Sequence, residues 1–128
     1  MGSWVMNYIA SSTFESPIEM LAMRRKRLIQ AREFLDMITP VVRRRGRGGL
    51  ADQCGFDSAS LKAAIFQTEM RLASCEPQTW QEALLLCEVL ETWLEPGVSL
   101  RLGRSITRFI GSFGWQLSQV QEERGLYS

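Results

Sequence analysis

The stretch Thr79–Glu95, TWQEALLLCEVLETWLE, constrains the fold of this chain most. It opens with Thr79 and carries Glu82 three positions on, the pattern in which a threonine hydroxyl accepts from a helix's third amide and a glutamate reaches back to the threonine amide. It closes at Pro96-Gly97, where proline cannot continue a helix and glycine readily takes a left-handed cap. Between those signals Trp80, Ala83, Leu84, Cys87, Leu90 and Leu94 recur at helical spacing. Leu85, Leu86, Val89 and Trp93 make most of the remaining surface apolar, and only Glu88, Glu91 and Glu95 form a polar strip. A helix apolar nearly all round is a buried one. The pattern predicts one central helix from Thr79 to Glu95.

Three further segments carry helical spacing. Ser16-Pro17-Ile18-Glu19 is a capping box with proline at the first helical position, where its missing N–H is no loss. Leu21, Leu28, Ala31, Phe34, Leu35 and Ile38 follow at steps of three, four and seven. Thr39-Pro40 is expected to end or kink this helix. A second helix is expected from Asp57 or Ser58 to about Ser74, with Leu61, Ala64, Ile65, Thr68, Leu72 and Ala73 on one face. Glu76-Pro77-Gln78 is a short break, which makes that helix and the central one antiparallel neighbours. The last helix is expected from about Ser99 to Glu123, with a seam of Leu102, Ile106, Phe109, Phe113, Leu117 and Val120. That seam packs within the chain or, as a homodimer contact, against a second copy. Arg101, Arg104 and Arg108 share a strip that an antiparallel pairing would bring to Glu88, Glu91 and Glu95. Gly103, Gly111 and Gly114 point to close helix approach or bending, since each costs about 1 kcal/mol relative to alanine.

No stretch alternates as a strand would. The fold class is therefore all-α, a small helical bundle or hairpin stack of about four helices with a flexible basic loop at 43–49. Residues 1–15 read as an apolar arm (Trp4, Val5, Met6, Tyr8 and Ile9), and 16–128 as a single helical domain. Met1-Gly2-Ser3 reads as residues left by cloning, so the natural chain is expected to extend upstream.

Charge is nearly balanced overall, at +1, but unevenly placed. Residues 1–49 hold nine Lys/Arg against four acids, and residues 50–128 hold six against ten. This layout fits either an anionic partner for the first half or internal charge complementarity. Arg43-Arg44-Arg45-Gly46-Arg47-Gly48-Gly49 concentrates the positive charge, and as a mobile loop it would suit phosphate, an import receptor or an acidic protein surface. Its other reading is a solvated linker. No aromatic residue is interleaved with these arginines, which weakens single-strand nucleic-acid binding by stacking.

Cys54, Cys75 and Cys87 are odd in number and far apart, a pattern of free thiols in a reducing compartment. Histidine is absent, so sites that need it, such as His-ligated zinc or a Ser-His nucleophile, are excluded. No secretory signal or membrane span is expected, and no cofactor. Acid pairs such as Asp52/Asp57 and Glu88/Glu91 lack a companion base, nucleophile or metal ligand, so no enzyme activity is expected.

Several segments, in order, resemble the accessory C protein of paramyxoviruses, nearest the morbillivirus group. These are Glu15-Ser16-Pro17-Ile18-Glu19; the basic helix ending near Met37-Ile38-Thr39; and the Leu/Trp-rich segment within 73–102. The ending Ile110-Gly111-Ser112, Leu117 and Gln121-Glu122-Glu123-Arg124-Gly125 completes the series. The match covers roughly residues 14–128 and lies in shared order and distance to the chain end. It departs at the RRRGRGG loop, which is longer and more basic, and the family's long basic N-terminal segment has no counterpart here.

The resemblance implies an all-helical, non-enzymatic virulence factor. It implies binding to the viral polymerase and phosphoprotein complex to regulate RNA synthesis, and antagonism of the host interferon response through innate signalling proteins. It implies residence in the host cytoplasm, with some members entering the nucleus. The residues expected to carry partner binding are Arg43, Arg44, Arg45 and Arg47, supported by Arg24, Arg25 and Arg27. The alternative is a sequence-independent nucleic-acid binder using the same arginines on phosphates.

Overall fold

A computed structural model describes the backbone of residues 16–125 and the side chains of residues 16–112. The apolar arm assigned to residues 1–15 lies outside the described residues. Four helices account for the described chain: α1 (Pro17–Arg44), α2 (Gly48–Ala73), α3 (Trp80–Leu90) and α4 (Pro96–Gly125). No strand occurs among the described residues, and the all-α expectation holds. The chain divides after Arg71 into two compact units.

The first unit is a long helical hairpin. Ser16 sits in extended backbone, and its hydroxyl accepts from the Ile18 and Glu19 amides at 3.2 and 3.4 Å, so α1 starts where the capping pattern placed it. α1 does not stop at Thr39-Pro40; it runs through Pro40 to Arg44. Proline's fixed φ is compatible with the helix, and what is lost is one amide donor and a clash-free turn, about 3 kcal/mol. Thr39 turns its hydroxyl inward to donate to the Leu35 carbonyl at 2.6 Å.

The polar ties between α1 and α2 set their direction. Arg25 pairs with Glu69, the Ser58 hydroxyl donates to Asp36, and Arg43 donates to Asp52. Partners descend along α2 as positions ascend along α1, so the helices are antiparallel. Ile18, Leu21, Arg25, Leu28, Arg32, Leu35, Thr39 and Val42 are the buried or half-buried line of α1. Ala51, Cys54, Ser58, Leu61, Ile65 and Thr68 are that of α2. Both lines step by three and four, the spacing of a two-helix seam. Phe34 and Ala31, expected on the inner face of α1, are exposed.

α2 begins nine residues before the expected cap at Asp57. Asp57 is an interior position whose carboxylate accepts from Gln53 one turn earlier, at 3.0 Å. Glycine-rich sequence at 48–55 is a poor helix former, but Ala51 and Cys54 continue the buried line and carry the helix to the turn.

The second unit pairs α3 with α4. Thr79 caps α3 through the Glu82 amide at 3.1 Å, as expected. The Glu82 carboxylate reaches one residue further than the usual box, to the Gln78 amide at 2.9 Å. α3 is shorter than the predicted central helix and ends at Leu90. Thr92 stops it: its amide and its hydroxyl both donate to the Val89 carbonyl. Nor is α3 enclosed. Ala83, Leu86 and Val89 are buried, whereas Trp80 and Leu84 are exposed, as is Trp93 beyond the helix end.

Pro96-Gly97 starts a helix instead of ending one. Pro96 occupies the first position of α4, and the Ser99 amide donates to the Glu95 carbonyl at 2.9 Å. Val98, Leu102, Ser105 and Ile106 are the buried line of α4, with Phe109 half-buried edge-on to Trp80 at a centroid distance of 5.1 Å. The Leu102 end of the predicted seam is thus buried within the chain; the side chains at Phe113, Leu117 and Val120 lie outside the described ones. Gly103 and Gly111 do not mark close helix approach, because a Cβ at either would meet nothing within 4 Å.

Candidate interaction surface

The basic stretch 43–49 is far more ordered in its backbone than a loop. Arg43 and Arg44 complete α1, Gly48 and Gly49 begin α2, and only Arg45-Gly46-Arg47 connects them. Gly46 sits at φ +76°. Its amide donates to the Arg43 carbonyl and the Arg47 amide to the Val42 carbonyl, at 3.1 and 3.2 Å. This is the paired 5→2 and 6→1 closure of a helix by a left-handed glycine. Glycine at this place was the sequence signal for a tight corner in place of the expected flexible loop.

The corner displays its arginines. Arg43, Arg44, Arg45 and Arg47 are all exposed. Arg43 contacts Asp52 at 3.1 Å, but both side chains are more than half exposed, so the pair holds it by well under ~1 kcal/mol. Arg44, Arg45 and Arg47 make no ion pair among the described residues. α2 starts beside them with two glycines and no acidic residue in its first turn. Its unpaired amides therefore add partial positive charge to the same corner. The arrangement gathers exposed positive charge at one corner.

The three supporting arginines separate. Arg24 and Arg27 are exposed on α1, but sixteen or more residues before Arg43, roughly 24 Å along a helix axis. They form a second patch. Arg25 is corrected to a structural residue. Its Nε lies 2.7 Å from Glu69 Oε2, with both side chains about nine-tenths buried. The reason is helical phase: Arg25 continues the line of Ile18, Leu21 and Leu28, whereas Arg24 and Arg27 flank it.

A third basic feature went unread as a surface. Arg101, Arg104 and Arg108 border an open groove of the second unit, about 1090 Å³, floored by Leu90, Leu100 and Gly103. The expected pairing with Glu88, Glu91 and Glu95 does not form among the described residues; Arg108 meets Glu76 instead, at 3.0 Å. α3 ends at Leu90, which leaves Glu91 and Glu95 off the helix that would have aligned them.

Elsewhere the acidic pairs weighed from sequence are surface groups: Asp52, Asp57, Glu88 and Glu91 are all exposed. None of the three cysteines is in a disulfide; Cys54 is buried and Cys75 and Cys87 are half-buried. Burial, and then the Glu82 carboxylate, push the Cys75 thiol above its ordinary value. Among the described residues no three Cys, Asp or Glu side chains gather as metal ligands, and no helix is long and apolar enough to cross a membrane.

Fold and surface together define an all-α protein with separate exposed basic patches on its helices. Comparison of the chain with family models, curated proteins and solved structures finds no match.

Proposed function

We propose that this protein is a non-enzymatic viral accessory factor that docks on the polymerase and phosphoprotein complex, regulates RNA synthesis and blunts the host interferon response. The ordered resemblance of residues 14–128 to the paramyxovirus C proteins motivates the reading. The observation that carries it is the arginine corner: Arg44, Arg45 and Arg47 stand exposed, without ion pairs among the described residues, on a turn closed by Gly46. A corner of this kind suits an acidic protein surface, since charge complementarity across an interface sets encounter rate and register.

The test is replacement of Arg44, Arg45 and Arg47 by alanine, followed by recovery of polymerase subunits with the tagged protein from infected cells. Loss of the polymerase with unchanged helical circular dichroism supports the proposal. Full recovery by the folded triple variant removes the corner from it. RNA titration over a salt series addresses the phosphate alternative, because affinity that falls steeply with salt is the mark of counterion release.

A further inference from the structure

α1 carries two apolar lines on opposite sides. One faces α2. The other runs Met20, Met23, Arg27, Gln30, Phe34, Met37 and Val41, again stepping by three and four over roughly 32 Å. All seven are exposed, Phe34 by 56 % and Met37 by 65 %. Apolar groups stand at both ends of this exposed line, Met20 and Met23 at one and Phe34, Met37 and Val41 at the other, with Arg27 and Gln30 between them; such clustered exposure suits an interaction site, and the residues on it indicate its occupant.

We propose that this line is a homodimer interface, in which α1 packs antiparallel on α1 of a second copy about a two-fold axis between Gln30 and Ala31. The line is close to a palindrome about that point. Met20 then faces Val41 of the other copy, Met23 faces Met37 and Ile38, and Arg27 faces Phe34. An isologous contact requires this kind of self-complementarity. The Arg27–Phe34 match sets a guanidinium on a phenyl ring, a favourable cation–π contact.

Flanking charge selects the same orientation. Lys26 and Glu33 are seven residues apart and so lie on the same edge of the line. In an antiparallel pair like edges meet, and Lys26 of each copy reaches Glu33 of the other, twice over. A parallel pair would set Arg27 against Arg27 in the middle of the seam and forfeit both Lys26–Glu33 contacts. The contact is independent of the basic corner and of the partner proposed for it.

The test uses the full chain under reducing conditions, with mass measured by sedimentation from low to high micromolar protein. The wild type is expected to approach twice 14.6 kDa as concentration rises. Phe34→Glu is expected to return it to the monomer mass with helical circular dichroism unchanged, because Phe34 is 56 % exposed and lies off the line that faces α2. Lys26→Glu and Glu33→Lys should each weaken association at least severalfold, and the double exchange should restore it. A chain that stays monomeric throughout overturns the proposal. So does a dimer indifferent to Phe34→Glu, which would place the contact elsewhere. Failure of the double exchange to rescue overturns the antiparallel register.

Discussion

Arg25 and Glu69 form the buried tie of the helical hairpin, with Nε and Oε2 2.7 Å apart in an interface otherwise lined by Leu21, Leu28, Leu61 and Ile65. Two charges removed from water at such a place are held by each other. Taking one away costs the other its partner across the hairpin while leaving it buried. Arg25→Ala or Glu69→Ala is expected to destabilise the protein by about 3–5 kcal/mol, whereas replacing both with apolar residues of similar volume is expected to be near neutral or stabilising. Urea unfolding of the two single variants and of Arg25→Met/Glu69→Leu checks this. A single variant as stable as wild type would show that the pair does not hold the hairpin.

The glycines divide into one that the backbone requires and several that it does not. Gly46 occupies φ +76°, a left-handed position at which any Cβ is strained. Gly46→Ala is therefore expected to cost about 1–2 kcal/mol. Gly103 and Gly111 are helical, with open space where a Cβ would go. Gly103→Ala and Gly111→Ala are each expected to stabilise by about 0.5–1 kcal/mol, through lower backbone entropy in the unfolded chain. Thermal melts of the three variants give the signs directly; destabilisation by Gly103→Ala would return that glycine to a packing role.

How much of this was legible beforehand depends on which force decided each element. Ser16 and Thr79 were read correctly because a cap is local chemistry: a hydroxyl, an extended backbone and an amide two or three residues on. Pro40 does not end the helix, one of the two outcomes expected of it, because its penalty is local but the force against it is not. The hairpin partner keeps the helix running past it to Arg44, where Arg43 meets Asp52. Pro96 was read as a stop although proline is equally at home at a helix start, and nothing next to it distinguishes the two. In the run Arg24–Arg27, charge alone makes every residue a surface candidate. Only the phase of Ile18, Leu21 and Leu28 sets Arg25 apart, and that requires placing charged residues on the apolar line. The basic corner was legible in composition and misread in mechanics, since Gly46 closes a helix instead of loosening a loop.

Ser105 is fully buried on α4, and its hydroxyl donates to the Cys75 carbonyl at 2.8 Å, joining the start of the α2–α3 connection to the last helix. That carbonyl has left its own helix and depends on such donors. Ser105→Ala removes the donor and is expected to cost about 1–3 kcal/mol. Ser105→Val adds bulk at a site with no room and should cost more. Chemical denaturation orders the three proteins, and a neutral Ser105→Ala would show that water takes over the bond.

Cys75 itself provides the pH prediction. Burial and the adjacent Glu82 carboxylate both disfavour the thiolate, so the folded protein holds this proton to a higher pH than the unfolded chain does. The unfolded thiol ionises near its ordinary value of 9.0. Above that pH the folded state binds the extra proton, so stability falls as pH rises. Below it both states are protonated, and Cys75 contributes no slope. Cys75→Ala is therefore expected to flatten the alkaline loss of stability and leave the neutral region unchanged in slope. In the wild type the pH midpoint of Cys75 alkylation, followed by peptide mass spectrometry, should lie above 9.0. Glu82→Gln should lower that midpoint partway, because it removes the neighbouring charge and leaves the burial. A midpoint at the ordinary value in the folded wild type would show that neither influence reaches the sulfur.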